Sequence, residues 1–181
     1  MTMRVLSWKS AVTSGLFLLF VASQEDLAFG KEATKGEKEL VEIALEIKKA
    51  ILQKDPKSLL KHVDSKGVMC VDELISFERI ERDLADSSSY LYIYLFDPES
   101  YRDKYGANDS ARPVAWKEYL EKATDLKIRV SFKKGFGGNW ADVEYVSKKA
   151  PTGTLGPKVI SFKFTTKRWT IDSGLYGCGS Y

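Results

Sequence analysis

The stretch LKIRVSFK at residues 126–133 decides the fold, because apolar and polar residues alternate along its whole length. Alternation of this kind places every second side chain on one face of a β-strand, so that face is apolar and the other is charged. The glycine-rich segment GFGGN at residues 135–139 has turn chemistry, and residues 140–146 continue as a second strand. Together these segments predict a β-hairpin.

Residues 160–165 and 169–172 repeat the alternation, so we expect two further strands with one apolar face each. Such strands are typical of an antiparallel sheet that packs one side against helices. On its other side a basic strand would lie beside an acidic one, which favours their pairing. The charged residues concerned are Lys127, Arg129, Lys133, Asp142 and Glu144.

Helices are predicted in the front half of the chain. Apolar residues recur at helical spacing from Leu40 to Ile51, with lysine and glutamate on the other face. Asp55-Pro56 and Asp97-Pro98 each give an N-cap followed by a proline suited to the first helical turn. Ser76 can cap another helix, and Trp116 begins the apolar face of a later one. The sequence therefore predicts helices first and strands last.

The run YLYIYLF at residues 90–96 allows two interpretations. Its aromatic and aliphatic residues alternate with period two, which suits a strand, but a helix buried on all sides reads the same way. We favour the helix because of the family resemblance described below.

The first thirty residues resemble an export signal. Arg4 and Lys9 are followed by an apolar run over Ala11–Ala22, which is too short to span a bilayer. Small residues allow cleavage after Ser23 or after Gly30, and Gly30 is favoured because a charged segment follows it. We therefore expect a signal peptide at 1–30 and a periplasmic or secreted protein with no stable membrane insertion after cleavage.

The remaining chain suits one domain. With 181 residues, 44% of them hydrophobic, the protein can build a core. We expect a flexible lead-in at 31–36 and a single α+β domain at 37–181. A net charge of +3 is too small to indicate nucleic-acid binding. In an oxidising compartment Cys70 and Cys178 are a natural disulfide pair, closing a loop of about 109 residues.

A resemblance to a known superfamily rests on three segments: AILQKD at 50–55, the short helix with its glycine at 59–67, and RWTID at 168–172. This pattern resembles the cystatin-like α+β fold of the NTF2-like superfamily, including exported bacterial proteins of unknown function. The resemblance implies N-terminal helices packed on a curved antiparallel sheet that forms a cone. Enzymes of that superfamily use a carboxylate or tyrosine inside the cone, but no local motif here assigns a catalytic residue.

Reactive chemistry is sparse in the sequence. His62 is the one histidine, so a Ser-His-Asp triad or a multi-histidine metal site is not expected, and no cofactor is indicated. Tyr145 is the strand residue that combines an inward side chain with a titratable group. Several aromatic residues would either wall a ligand pocket or fill the core. The pocket candidates are Tyr94, Trp116, Tyr119, Trp140, Tyr145 and Trp169.

These observations favour a non-enzymatic module that binds a small apolar ligand or a protein partner. The alternative is a small cavity enzyme of isomerase or hydrolase type that uses an inward carboxylate or tyrosine. A structural envelope protein, dimeric through the open face of its sheet, is a third interpretation. The contents of the cone would discriminate among them, because a deep pocket with an inward carboxylate favours an enzyme.

Overall fold

The computed structural model describes residues 3–7, 35–105, 114–133, 138–147, 158–165 and 168–177. Across these ranges six helices lead into a sheet, which confirms the α+β class. The helices are α1 (Lys35–Leu52), α2 (Pro56–Leu60), α3 (Phe77–Ala85), α4 (Tyr90–Phe96), α5 (Pro98–Tyr105) and α6 (Trp116–Lys122). The strands are β1 (Met3–Ser7), β2 (Val68–Cys70), β3 (Glu73–Ile75), β4 (Ala123–Lys133), β5 (Gly138–Ser147), β6 (Lys158–Thr165) and β7 (Arg168–Ser173).

Local sequence signals account for most helix starts. The side chains of Asp55, Ser76 and Ser89 each accept a backbone N–H from the first turn of α2, α3 and α4. The Asp97 side chain does the same for α5, accepting from the Ser100 amide. The helical interpretation of residues 90–96 is confirmed. Helix α1 begins at Lys35, so the last two residues of the lead-in expected at 31–36 are helical.

The seven strands follow the order β1-β4-β5-β6-β7-β2-β3, so the sheet is open, with β1 and β3 at its edges. The expectation of a wholly antiparallel sheet is wrong at one position. Strand β2 joins β7 in parallel, with Met69 opposite Ser173. The reason is that alternation fixes which face of a strand is buried but not the direction of a neighbour from the front half. The sheet is therefore mixed.

The hairpin predicted across the glycine segment is confirmed. Strands β4 and β5 pair antiparallel, with Lys127 opposite Glu144 and Arg129 opposite Asp142. The Lys127 ammonium lies 3.3 Å from one oxygen of the Glu144 carboxylate, and the Arg129 guanidinium lies 3.6 Å from the other. Opposite charges thus reinforce the register on the outer face.

The inner face of the sheet holds the core. Ile128, Val143, Phe162 and Ile171 are all at most 4% exposed, and they form one cluster with the helices. Helix α1 lies against this face, since the Tyr145 hydroxyl of β5 donates to its Ala44 carbonyl. The alternation fails at the end of β6, where Phe164 was expected to be buried but is 37% exposed.

Strand β1 comes from the segment predicted to be a signal peptide. It pairs antiparallel with β4, placing Val5 opposite Lys127. The apolar centre of the predicted signal peptide, Ala11–Ala22, lies outside the described residues, and so do both cleavage sites. The signal peptide therefore stays a prediction, and cleavage would remove the strand that covers the outer edge of β4. In the described part of the chain no helix is long and apolar enough to cross a membrane.

The chain after β7 turns back over the core. Gly174 has a φ of +107°, and a Cβ placed on it would lie 2.4 Å from the Val159 carbonyl oxygen. Gly177 has a φ of +69°, and its Cβ would lie 3.0 Å from the Tyr94 hydroxyl oxygen. At Gly174 only glycine fits without displacement of the neighbouring backbone, whereas at Gly177 the close neighbour is the Tyr94 side chain. The turn thereby packs directly on β6 and α4.

Candidate functional site

The candidate site is built around Lys158, the first residue of β6. Lys158 lies opposite Tyr145 of β5, and it is two residues from Ile160 and four from Phe162 along the strand. Because strand side chains alternate, Lys158 points to the same inner face as those two apolar residues. It is only 6% exposed. A lysine therefore occupies a core position of the sheet.

Three aromatic residues from two helices surround this lysine together with Tyr145. Its ammonium donates a hydrogen bond to the Tyr94 hydroxyl at 2.5 Å. It also lies 4.5 Å from the centroid of the Tyr94 ring and 5.4 Å from that of Trp116. Aromatic rings at such distances attract a cation through their quadrupole. We call Lys158, Tyr94, Trp116, Tyr119 and Tyr145 the Lys158 cluster.

Among the residues that the structure describes, no carboxylate balances the positive charge of this cluster. No Asp or Glu side chain within the described ranges lies at ion-pair distance from Lys158. Burial lowers the pKa of Lys158 from its ordinary 10.5 to about 7. The amine consequently changes protonation state near neutral pH, where an exposed lysine stays charged.

The two inner tyrosines hold the cluster in place rather than offering a base. The Tyr145 hydroxyl donates to the Ala44 carbonyl of α1 at 2.8 Å, and the Tyr119 hydroxyl donates to the Tyr145 carbonyl at 2.8 Å. The Trp116 ring meets Tyr145 edge-on, with centroids 5.7 Å apart. Burial raises the pKa of both tyrosines, so their phenols remain protonated donors. Tyr145 is thus poorly suited to the role of an inward base.

The cluster contains hydrogen-bond donors that the described residues do not satisfy. The Trp116 indole N–H is buried and has no acceptor among the described residues. The Lys158 ammonium has three N–H groups, and within the same part of the chain only the Tyr94 hydroxyl accepts one. A buried donor without an acceptor costs free energy, and a group that carries acceptor oxygens would remove that cost.

The six aromatic residues predicted to line a pocket do not come together. Tyr94, Trp116, Tyr119 and Tyr145 belong to the cluster. Trp140 lies on the outer face of β5, where the Lys163 ammonium is 4.9 Å from its ring centroid. Trp169 stacks edge-on with Phe164 on the inner face of β6 and β7, at 5.3 Å. Successive residues of a strand face opposite sides of the sheet. Trp140 is five residues from Tyr145 in β5, an odd number, so the two side chains lie on opposite faces.

A group of tyrosines connects the cluster to the protein surface. Tyr90 stacks on Tyr94 with centroids 5.6 Å apart, and Tyr101 lies 5.3 Å from Tyr94. Tyr105 completes the group, at 5.2 Å from Tyr90. Tyr90 is 37% exposed while Tyr94 is 1% exposed, so the rings run from solvent to the site.

Other candidate chemistry lies elsewhere. His62 lies two residues after the end of α2; its side chain is 13% exposed and its Nε2 lies 3.1 Å from the Glu46 carboxylate. Asp125 is a buried carboxylate with one oxygen lacking a described partner.

Cys70 ends β2, and Cys178 lies outside the described residues, so their disulfide stays a prediction. No group of three or more metal-ligating side chains occurs in the part of the chain that the structure describes.

Sequence reasoning missed Lys158, the central residue of the site. The interpretation that Tyr145 alone combined an inward side chain with a titratable group is therefore wrong. A signal was present, because extending the alternation of Ile160 and Phe162 back by two residues reaches Lys158. Gly156 and Pro157, directly before Lys158, predict a loop, so the alternation was not extended that far.

Comparison of the chain with family models, with curated proteins and with solved structures finds no match in any of the three.

Proposed function

We propose that the protein is an exported, non-enzymatic binding module of the NTF2-like, cystatin-like class. Its ligand is a small apolar or aromatic molecule that carries a carboxylate or a similar acceptor group. One observation carries this proposal: the ammonium of Lys158 lies among aromatic rings in the core, and no described carboxylate neutralises it.

The energetics of this arrangement favour a binding role. A buried charge without an ionic partner destabilises a fold, and an apolar side chain of similar length would fill the same space without that penalty. Lysine at position 158 thus lowers stability in the absence of a ligand. A bound carboxylate would supply the missing counter-charge, and the Trp116 indole N–H is a further donor in the same cluster.

The ring geometry selects the rest of the ligand. The rings of Tyr94 and Trp116 lie beside the ammonium. A planar ligand body gains contact area against such rings, and its carboxylate gains the charge-assisted hydrogen bond. The combined requirement is met by an aromatic carboxylate.

Titration with benzoate at pH 6, where the Lys158 amine is protonated, tests this function. We expect saturable changes in the methyl and aromatic NMR signals of the core, and at least a tenfold weaker affinity for Lys158→Met. Lys163→Met, which removes a lysine from the outer face beside Trp140, is the matched control and should bind normally. Equal affinity of Lys158→Met and the native chain, or no binding to the native chain, would contradict the proposal.

The alternative function, a small cavity enzyme, requires an inward carboxylate or tyrosine. Tyr145 does not favour it, because burial raises its pKa and its hydroxyl is committed to Ala44. Asp125 does not favour it either. This carboxylate is 6% exposed, but it lies opposite Val146, one residue from the inward pair of Leu126 and Tyr145, and so belongs to the outer face of the sheet.

Export is part of the same proposal, as is a periplasmic or secreted location. It is supported by the sequence of residues 1–30. N-terminal sequencing of the protein recovered from outside the cytoplasm should begin at Lys31, or at Gln24 if cleavage follows Ser23. An N-terminus at Met1 would contradict it. A protein partner or a second copy would then meet the uncovered edge of β4 or the charged outer face of the sheet.

A further inference from the structure

We propose that Lys158 reacts covalently with an aldehyde or ketone group of its ligand to form an imine. This inference rests on the proposed function, because it takes the Lys158 cluster to be a ligand site. The inference goes beyond the proposed function because an imine is a covalent bond, whereas a carboxylate would bind Lys158 without forming one.

The first argument is the absence of an ionic partner. A lysine paired with a carboxylate is held as an ammonium ion, which has no free electron pair and is not a nucleophile. Within the described ranges no carboxylate performs that role for Lys158. Desolvation of the amine among aromatic rings favours its neutral, nucleophilic form, as in other lysines that form Schiff bases.

The second argument is the position of the Tyr94 hydroxyl. It lies 2.5 Å from the Lys158 nitrogen, close enough to exchange a proton with that nitrogen. A phenol at this distance can donate a proton to the carbonyl oxygen and can take one from the nitrogen. Tyr94 is itself 1% exposed, so bulk water does not compete freely for these protons.

The atoms of the reaction balance without a further reactant. The nitrogen electron pair of neutral Lys158 attacks the carbonyl carbon, and the carbonyl oxygen takes up a proton to give a carbinolamine. Loss of that hydroxyl as water, with a second proton, leaves a C=N bond to Nζ. No electron is gained or lost overall, and water is the only product released.

The charged and titratable surroundings support a neutral amine at moderate pH. Apart from Lys158, the titratable side chains of the cluster are phenols: Tyr94 from α4, Tyr119 from α6 and Tyr145 from β5. Burial raises the pKa of Tyr119 and Tyr145, so neither bears a negative charge that would retain a proton on Lys158. Burial lowers the pKa of Lys158 itself to about 7.

The test uses the full chain, benzaldehyde as the probe and cyanoborohydride, which reduces the imine to a stable benzylamine. Peptide mapping after brief reaction at pH 7 should place the label on Lys158 at least tenfold faster than on Lys163. The rate at Lys158 should rise through a midpoint near pH 7. Tyr94→Phe should slow this labelling severalfold while leaving that of Lys163 unchanged, and Lys158→Arg should remove the fast label.

Two outcomes would overturn the inference. One is labelling of Lys158 no faster than that of Lys163, and the other is no labelling of Lys158 in a chain whose other lysines react. Mapping in the native chain needs no variant, so a variant that fails to fold does not obscure the result. If benzoate binds in a Lys158-dependent way and benzaldehyde leaves Lys158 unlabelled, the binding function stands and the imine is excluded. If neither compound engages Lys158, both proposals fall.

Discussion

The ε-amino nitrogen of Lys158 lies 2.5 Å from the hydroxyl oxygen of Tyr94, and the two residues are 64 positions apart in the chain. Helix α4 and strand β6 thus meet through a polar contact inside an apolar core. This contact links the fold to the proposed function, because it places a titratable amine where the sheet and helices exclude water.

The amine should make stability depend on pH. Between about pH 7 and its ordinary pKa of 10.5 the folded protein holds Lys158 neutral while the unfolded chain keeps it charged. The unfolded state then binds one more proton, so the free energy of unfolding rises with pH by up to about 1.4 kcal/mol per unit. Below pH 7 both states are protonated and this slope disappears.

The measurement is urea unfolding of the native chain and of Lys158→Met from pH 6 to pH 9.5. The difference between the two free energies of unfolding should grow in favour of the native chain as pH rises. Parallel profiles would show that Lys158 is solvated.

The hydrogen bond from Tyr145 to the Ala44 carbonyl should stabilise the packing of β5 on α1. Tyr145→Phe keeps the ring and removes the donor, so we expect a loss of about 1–2 kcal/mol in the free energy of unfolding. Tyr92→Phe is the control, because Tyr92 packs edge-on against Phe96 and is only partly buried. Equal effects of the two substitutions in denaturant unfolding would refute the role given to the Tyr145 hydroxyl.

Gly174 is required by backbone geometry. An alanine there would place its Cβ 2.4 Å from the Val159 carbonyl oxygen, at a φ of +107° that suits glycine. We expect Gly174→Ala to lower stability by at least about 2 kcal/mol. Gly36→Ala is the matched control, since its Cβ would meet Trp169 at an ordinary 3.8 Å within helix α1. Thermal unfolding should show a lower midpoint for the first variant and an unchanged or higher one for the second.

The disulfide between Cys70 and Cys178 is a separate prediction. Strand β2 runs parallel to β7, with Met69 opposite Ser173, so the chain beyond Ser173 leaves the sheet beside the strand that holds Cys70. Mass spectrometry of the non-reduced exported protein should find the two cysteine peptides joined. Reduction should lower stability by up to about 4–5 kcal/mol, the limit set by loop closure. Two thiols open to alkylation in the native protein would contradict the bond.

The back half of the fold was predictable from the sequence because each strand obeys a simple alternation. The inward positions of Ile128 and Phe162 and the charge pairing of Lys127 with Glu144 all follow from it. The same rule was sufficient to place Lys158 inward, had it been extended past Ile160. The inward position of Lys158 could therefore have been predicted from the sequence.

The remaining features depend on tertiary contacts that no local pattern carries. The parallel pairing of β2 with β7 is set by a single register position between distant segments. The turn between β2 and β3 places Val71 at a φ of +56° and 74% exposed, whereas turn residues there are normally glycine or asparagine. Strand β3 was missed for that reason.

The most direct test of the account is an NMR titration of Lys158 in protein labelled with ¹³C at the lysine ε-carbon, with Lys158→Arg used to assign the signal. The account predicts a midpoint near pH 7 for this one lysine, well below the ordinary lysine value of 10.5. A Lys158 midpoint near 10.5 would contradict a buried amine that lacks a carboxylate partner among the described residues, and with it the binding site built around that amine.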